Sequence, residues 1–226
     1  MMCFKKRSVT FGNYNTADYG WTLTYWKLSD PEQKTYYVEK PGGDGSLDLS
    51  TVITDGVPSY KDRTITAKLE CSNGTRDERE ELIGHLVNLL DGMEVKIIPP
   101  DHPNHYLVGR LHVAEDHNNL AYAAVTVTGT VRPWLYRRAE TVVELVHSLA
   151  YPSIHTLRNS GRLTVVPTIT VADDAEDVGL AFGNTYTYFG PGVYKWPELI
   201  LTPGNHELRF AGKGHVTITY REAVLR

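Results

Sequence analysis

The chain has 226 residues, 41% of them hydrophobic, and a formal net charge of −4. That length suits two small domains, each able to bury a core unaided, and the mild acidity, with no basic block beyond Lys5-Lys6-Arg7 and Arg137-Arg138, argues against a phosphate-dominated grip on nucleic acid. Cys3 and Cys71 are too few for a disulfide framework and lack zinc-ligand spacing, while the lack of a signal-like start and of any apolar run of roughly 18 residues predicts synthesis in a reducing cytoplasm and no membrane insertion.

From the N-terminus, residues 21–26 and 34–39 are short aromatic and β-branched runs that read as strands. Residues 41–49 follow, Pro41-Gly42-Gly43-Asp44-Gly45 and then an alternating Leu-Asp-Leu, which is the composition of a tight reversal between β-segments. Residues 64–70 alternate Ile65, Ala67 and Leu69 and predict a half-buried strand. Asn73-Gly74-Thr75 has the glycosylation pattern, but in a chain that is not secreted it reads as a turn into a helix.

That helix, over about 76–91, is the one break in the β pattern. Leu82, Ile83, Leu86, Val87, Leu89 and Leu90 recur at helical spacing, Thr75 with Glu78 makes a capping box, Asp77, Glu78, Glu80 and Glu81 in the first turns suit the positive end of the helix, and Gly92 stands where a glycine stop belongs. Strands are then predicted at 94–98, 106–113 and 120–131, with Asn118-Asn119 as the turn of a hairpin between the last two. The proline, aromatic and basic residues of 132–138 read as a domain seam. A second strand-rich block follows at 141–146, 162–171, 186–189, 198–201, 207–210 and 215–221, with loops at 173–177, 190–192, 203–205 and 212–214. Pro167 puts its position at an edge or bulge.

No catalytic constellation stands out. His102, His105, His112 and His117 crowd one stretch but include no cysteine and no helical two-histidine arrangement, so they read as solvated loop residues. Asp173, Asp174, Glu176 and Asp177 lack the order of a calcium loop, and Gly212-Lys213-Gly214 lacks the rest of a phosphate loop. Ser46, Ser148 and Ser160 lack a nucleophile-elbow context. Glycosidase chemistry needs only two carboxylates that meet in space, and 27 acidic residues leave many pairs, so it stands as a third reading. No cofactor is expected. Trp21 and Trp26 stand five residues apart and would face opposite sides of a regular strand, so one enters the core and the other is a candidate subunit contact.

Taken in order, Phe11-Gly12, Trp21, the strand over 34–38, the 41–49 turn, Tyr60 with Arg63, the helix ending at Gly92 and the Gly109-Arg110 strand resemble the distal tail (Dit-like) protein family of long-tailed bacteriophages and prophages. The resemblance continues through 133–136, 161–167 and the run over 199–224 with Asn205, Gly212, Gly214, Val216 and Tyr220. It implies a mainly β protein of two β-sandwich-like domains, the N-terminal one, 1–136, carrying the amphipathic helix and forming a homohexameric ring, and the C-terminal one, 137–226, galectin-like. It also implies a tail-tip hub in the virion, made in the bacterial host cytoplasm, with the tail tube protein and a tail-tip or tail-associated protein as partners and no enzymatic activity. Two departures bear on function: no long insertion that would hold an adhesin is present, and His206-Glu207-Leu208-Arg209 does not match the His-x-Asn-x-Arg strand motif of sugar-binding galectins. The alternative to a hub is a carbohydrate-binding β-sandwich module using Trp196 or exposed tyrosines as stacking platforms.

Overall fold

The computed structural model describes residues 8–54, 56–116, 121–147 and 152–226. Cys3, the Lys5-Lys6-Arg7 block, the Asn118-Asn119 turn, His117 and Ser148 lie outside them. The protein is mainly β, as its composition predicts, and divides into two units, Met1–Pro133 and Trp134–Arg226.

The first unit contains β1 (Thr10–Phe11), β2 (Tyr14–Asn15), β3 (Thr22–Leu28), β4 (Tyr37–Glu39), β5 (Ser46–Asp48), β6 (Arg63–Cys71), α1 (Arg76–Leu90), β7 (Glu94–Ile98), β8 (His105–Glu115) and β9 (Ala123–Val131). One antiparallel sheet runs in the order β2-β1-β7-β8-β9-β6-β3. Alternation decides its faces: Ile65, Ala67 and Leu69 of β6 are buried, and so are Val125 and Val127 of β9 and Leu111 and Val113 of β8. Helix α1 packs against β8 and β9 through Ile83, Leu86 and Leu90. Its capping box is formed, with the Glu78 N–H donating to Thr75 Oγ1 at 3.4 Å and the Thr75 N–H to the Glu78 carboxylate at 2.7 Å. At the other end the Gly92 N–H donates to the Leu111 carbonyl, so the helix stops by joining the sheet.

The 41–49 reversal is present, joining β4 to β5, which pair with each other and with no other strand among those described. Of the expected strand at 34–39 only Tyr37–Glu39 is extended and paired. The excursion carrying this hairpin leaves the sheet after β3 and rejoins it at β6. Its stem is tied by the backbone bonds of Lys34 N–H to the Ser59 carbonyl and Lys61 N–H to the Glu32 carbonyl. Arg63 is buried at its base, where its Nε donates to the Ser29 carbonyl at 2.7 Å.

The second unit contains β10 (Leu135–Arg137), β11 (Thr141–His147), β12 (Ser153–Asn159), β13 (Thr168–Val171), β14 (Glu176–Phe182), β15 (Thr185–Phe189), β16 (Gly192–Lys195), β17 (Gly204–Tyr220) and β18 (Ala223–Val224). Strand β17 organises it. Its first half pairs with β12 and β14, and its second with β11 and β13; β15 and β16 complete the two layers. Leu157, Leu180, Leu208 and Phe210 from one layer share a single core with Leu145, Ile169, Val216 and Ile218 from the other.

Four expectations are corrected here. Residues 212–214 are no loop but lie inside β17, where the strand passes from one layer to the other. Gly212 and Gly214 have φ of +99° and +122°, and a Cβ on them would meet the Asp177 carbonyl oxygen at 2.2 Å and the Ala175 Cα at 2.5 Å, so glycine serves close strand approach. The acidic run at 173–177 is only partly a loop, because β14 begins at Glu176 and a bulge falls between Glu176 and Gly179. Residues 198–201 form no strand: Leu199 N–H bonds back to the Trp196 carbonyl, and Leu201 alone bridges to Val165. Finally, β13 starts only after Pro167, which cannot donate to a ladder.

Candidate interaction surfaces

Among the described residues no three His, Cys, Asp or Glu side chains gather as a metal site would need, and no helix is long and apolar enough to cross a membrane. The histidines of the crowded stretch separate. His102 and His105 meet edge to face with ring centres 6.2 Å apart, while His112 sits on β8 and bonds Asp91 through Nδ1 at 2.7 Å. Asp91 also accepts the Val113 N–H at 3.0 Å, and that bond, followed by the one to His112, holds its carboxyl below the usual range. This pair anchors the helix end to the sheet. Asp174 is likewise engaged, with His215 Nδ1 at 2.7 Å, and Glu176 lies 3.5 Å from the Lys213 ammonium, so the acidic run and the glycine-lysine-glycine segment face each other across the β14/β17 irregularity.

The two tryptophans singled out on the first strand do not face opposite ways. A bulge in β3 between Leu23 and Tyr25 shifts the register, so Leu23 lies across from Leu69 and Trp26 across from Ala67, both on the buried face of β6. The extra residue is Thr24, whose hydroxyl donates to the Lys68 carbonyl at 3.3 Å. Trp21 is fully buried and donates its indole N–H to the Tyr14 hydroxyl at 3.0 Å. Burial pushes the Tyr14 hydroxyl up to about 12, with the bond from Trp21 acting in the opposite sense. Trp26 is half-buried at the edge strand β3. Its Nε1 has no hydrogen-bond partner among the described residues, and it lines an open hollow of about 300 Å³ with Leu23, Tyr25, Pro100 and Asp101.

A larger surface went unread in the sequence. The excursion between β3 and β6 exposes Tyr36 at 63%, Tyr37 at 59%, Val52 at 64% and Ile53 at 96%, with Leu47 and Val57 also exposed. Scattered exposed apolar residues are ordinary, but these fall within one segment in which none of the described residues is buried. The signal available was the density of Tyr, Val and Ile between two strands that already fill the sheet edge. In the second unit Trp196 is corrected as a stacking platform: it is buried in the core, edge-on to Phe189 with ring centres 5.7 Å apart.

No family model matches the sequence, and no curated protein matches it. Among solved structures, the crystal structure of the Dit protein (gp 19.1) of phage SPP1, called a paradigm of the hub adsorption apparatus in phages infecting Gram-positive bacteria, is similar in fold. The likeness has a TM-score of 0.68 at 16% sequence identity and covers 95% of this chain and 98% of that one. This chain therefore has the fold of that hub protein.

Proposed function

We propose that this protein is a structural component of a bacteriophage or prophage tail, a hub at the distal end of the tail tube that joins the tube to the tail tip and works by assembly, not catalysis. The observation that carries this reading is the correspondence in fold with the SPP1 hub protein across nearly the whole of both chains. In this reading copies of the chain close into a ring, six of them as the family resemblance implies, and the tail tube protein and a tail-tip protein stack on its two sides. The exposed tyrosines, Val52 and Ile53 of the β3–β6 excursion, together with the β3 edge at Trp26, supply apolar and unpaired groups for neighbouring copies to cover. The protein is made in the host cytoplasm and resides in the virion.

Light scattering on the purified full chain, alone and mixed with tail tube and tail-tip proteins of the same phage, tests the proposal, with gold-labelled antibody on intact virions as the second measurement. A ring-sized mass and label at the distal end of the tail are expected. A monomer in every mixture, with no label on the tail, overturns it.

A further inference from the structure

The outward face of the layer formed by β12, the first half of β17, β14 and β15 has an uneven composition. Register places Arg209, Ala181 and Tyr186 in one cross-strand row, and Ala211, Gly179 and Tyr188 in the next. Their neighbours Val178, Leu180 and Phe210 point into the core, so these rows point out. Tyr186 is 48% exposed and Tyr188 70% exposed. Their rings meet at 4.9 Å with planes 87° apart, which makes a corner with one ring as floor and the other as wall.

The floor is built by a small residue. A Cβ on Gly179 would stand 1.9 Å from the Tyr186 hydroxyl oxygen and 2.6 Å from its Cζ, so the absence of a side chain there lets Tyr186 lie down across β14. The nearness of Tyr188 also pushes the Tyr186 hydroxyl above the ordinary tyrosine value, consistent with the edge-on contact of the two rings. Beside them, Ala181 and Ala211 leave a shallow step. Beyond it stands Arg209, exposed and without an ion pair among the described residues. The backbones of Arg209 and Tyr186 are two strand spacings apart, about 10 Å.

We infer that this face is a glycan-binding site: one hexopyranose lies in the step over Ala181, its C–H face against the Tyr186 and Tyr188 corner and its hydroxyls accepting hydrogen bonds from the Arg209 guanidinium. The C–H bonds of a pyranose are the electropositive edge that an aromatic face attracts, and a guanidinium offers several donors in a plane to vicinal hydroxyls. A protein partner would be expected to find a wider apolar centre. Around the corner here are Arg209, Glu207 and Thr156, with Ile154 as the one large aliphatic group. The site owes nothing to the galectin motif, which this strand lacks.

The test uses the full chain on an array of glucose-, galactose- and N-acetylglucosamine-terminated glycans, followed by calorimetry with the oligosaccharide retained. Binding is expected. Tyr188→Ala should weaken it about tenfold or more, the size of a lost stacking face, whereas Tyr188→Phe should stay within about threefold and Arg209→Ala should weaken it several-fold. Tyr25→Ala, on the first unit, should leave it unchanged. Because Tyr188 is exposed, its variants remain folded, which circular dichroism checks. A silent array overturns the inference, as does binding that Tyr188→Ala leaves intact, or loss of a co-purifying tail protein with sugar binding untouched. None of these results alters the ring mass, so failure here is separable from failure of the hub proposal.

Discussion

Trp21, the residue before β3, and Tyr14 of the short β2 are joined by one buried hydrogen bond, indole N–H to phenol oxygen, 3.0 Å long. Removing the acceptor with Tyr14→Phe leaves a buried donor unpaired, and this should cost about 1–3 kcal/mol. The check is a denaturant titration of each protein, with a lower midpoint and an unchanged slope expected for the variant.

The same pair predicts a pH dependence. Tyr14 titrates near 12 when folded against an ordinary value of 10.0, so above pH 10 the unfolded chain loses a proton that the folded chain keeps. Its contribution is whole below pH 10 and is lost as pH climbs toward 12. The fall in stability across that window should therefore be shallower in Tyr14→Phe than in the parent. Equal slopes would mean that the hydroxyl ionises without regard to its burial.

Helix α1 contains Gly84, and a Cβ built there has nothing within 4 Å. Gly84→Ala should therefore stabilise the first unit by about 1 kcal/mol, the full difference in helix propensity with no steric offset. Ellipticity at 222 nm reports on it directly, because α1 is the only α-helix among the described residues. A lower midpoint would mean that the helix packs more tightly there than its geometry allows.

What could be read from sequence follows the strength of each period. Helix α1 announced itself through Thr75, Glu78 and the spacing of Ile83, Leu86 and Leu90, and β6 through Ile65, Ala67 and Leu69, since each pattern repeats over several turns or pleats. Gly212 and Gly214 misled because glycine marks both loops and places where backbones crowd, and only the position of Asp177 and Ala175 tells them apart. Trp26 misled because one bulge at Thr24 inverts every later side chain of β3. Tyr186 and Tyr188 were legible as strand residues, but their outward direction depends on the pairing of β15 with β14. The apolar excursion was hidden for the same reason: Leu47 looks like a core residue until its strand is found paired only with β4.

Gly214 yields the sharpest stability prediction. Alanine there must take a φ near +122° and place its Cβ 2.5 Å from the Ala175 Cα, where neither backbone is free to yield. Gly214→Ala should cost about 3 kcal/mol or more and act on the second unit, because the β17 corner joins its two layers. Denaturation should then resolve an early step in which the helix signal at 222 nm, belonging to the first unit, is retained. A single transition at the parent midpoint would show that the corner tolerates a side chain.

The excursion between β3 and β6 provides the test that separates folding from assembly. Ile53 is 96% exposed and touches no core, so Ile53→Glu should change the stability of the monomer by less than about 0.5 kcal/mol. If neighbouring copies cover that side chain, each interface loses about 1.5–3 kcal/mol of apolar burial and gains a buried charge with no assigned partner. Repeated around a closed ring, that loss should shift the scattering mass from ring to monomer at concentrations where the parent is assembled. Val193→Glu, an exposed position on the second unit, serves as the control and should leave the ring mass unchanged. A ring that survives Ile53→Glu would remove the excursion from the interface and leave the β3 edge at Trp26 to carry it.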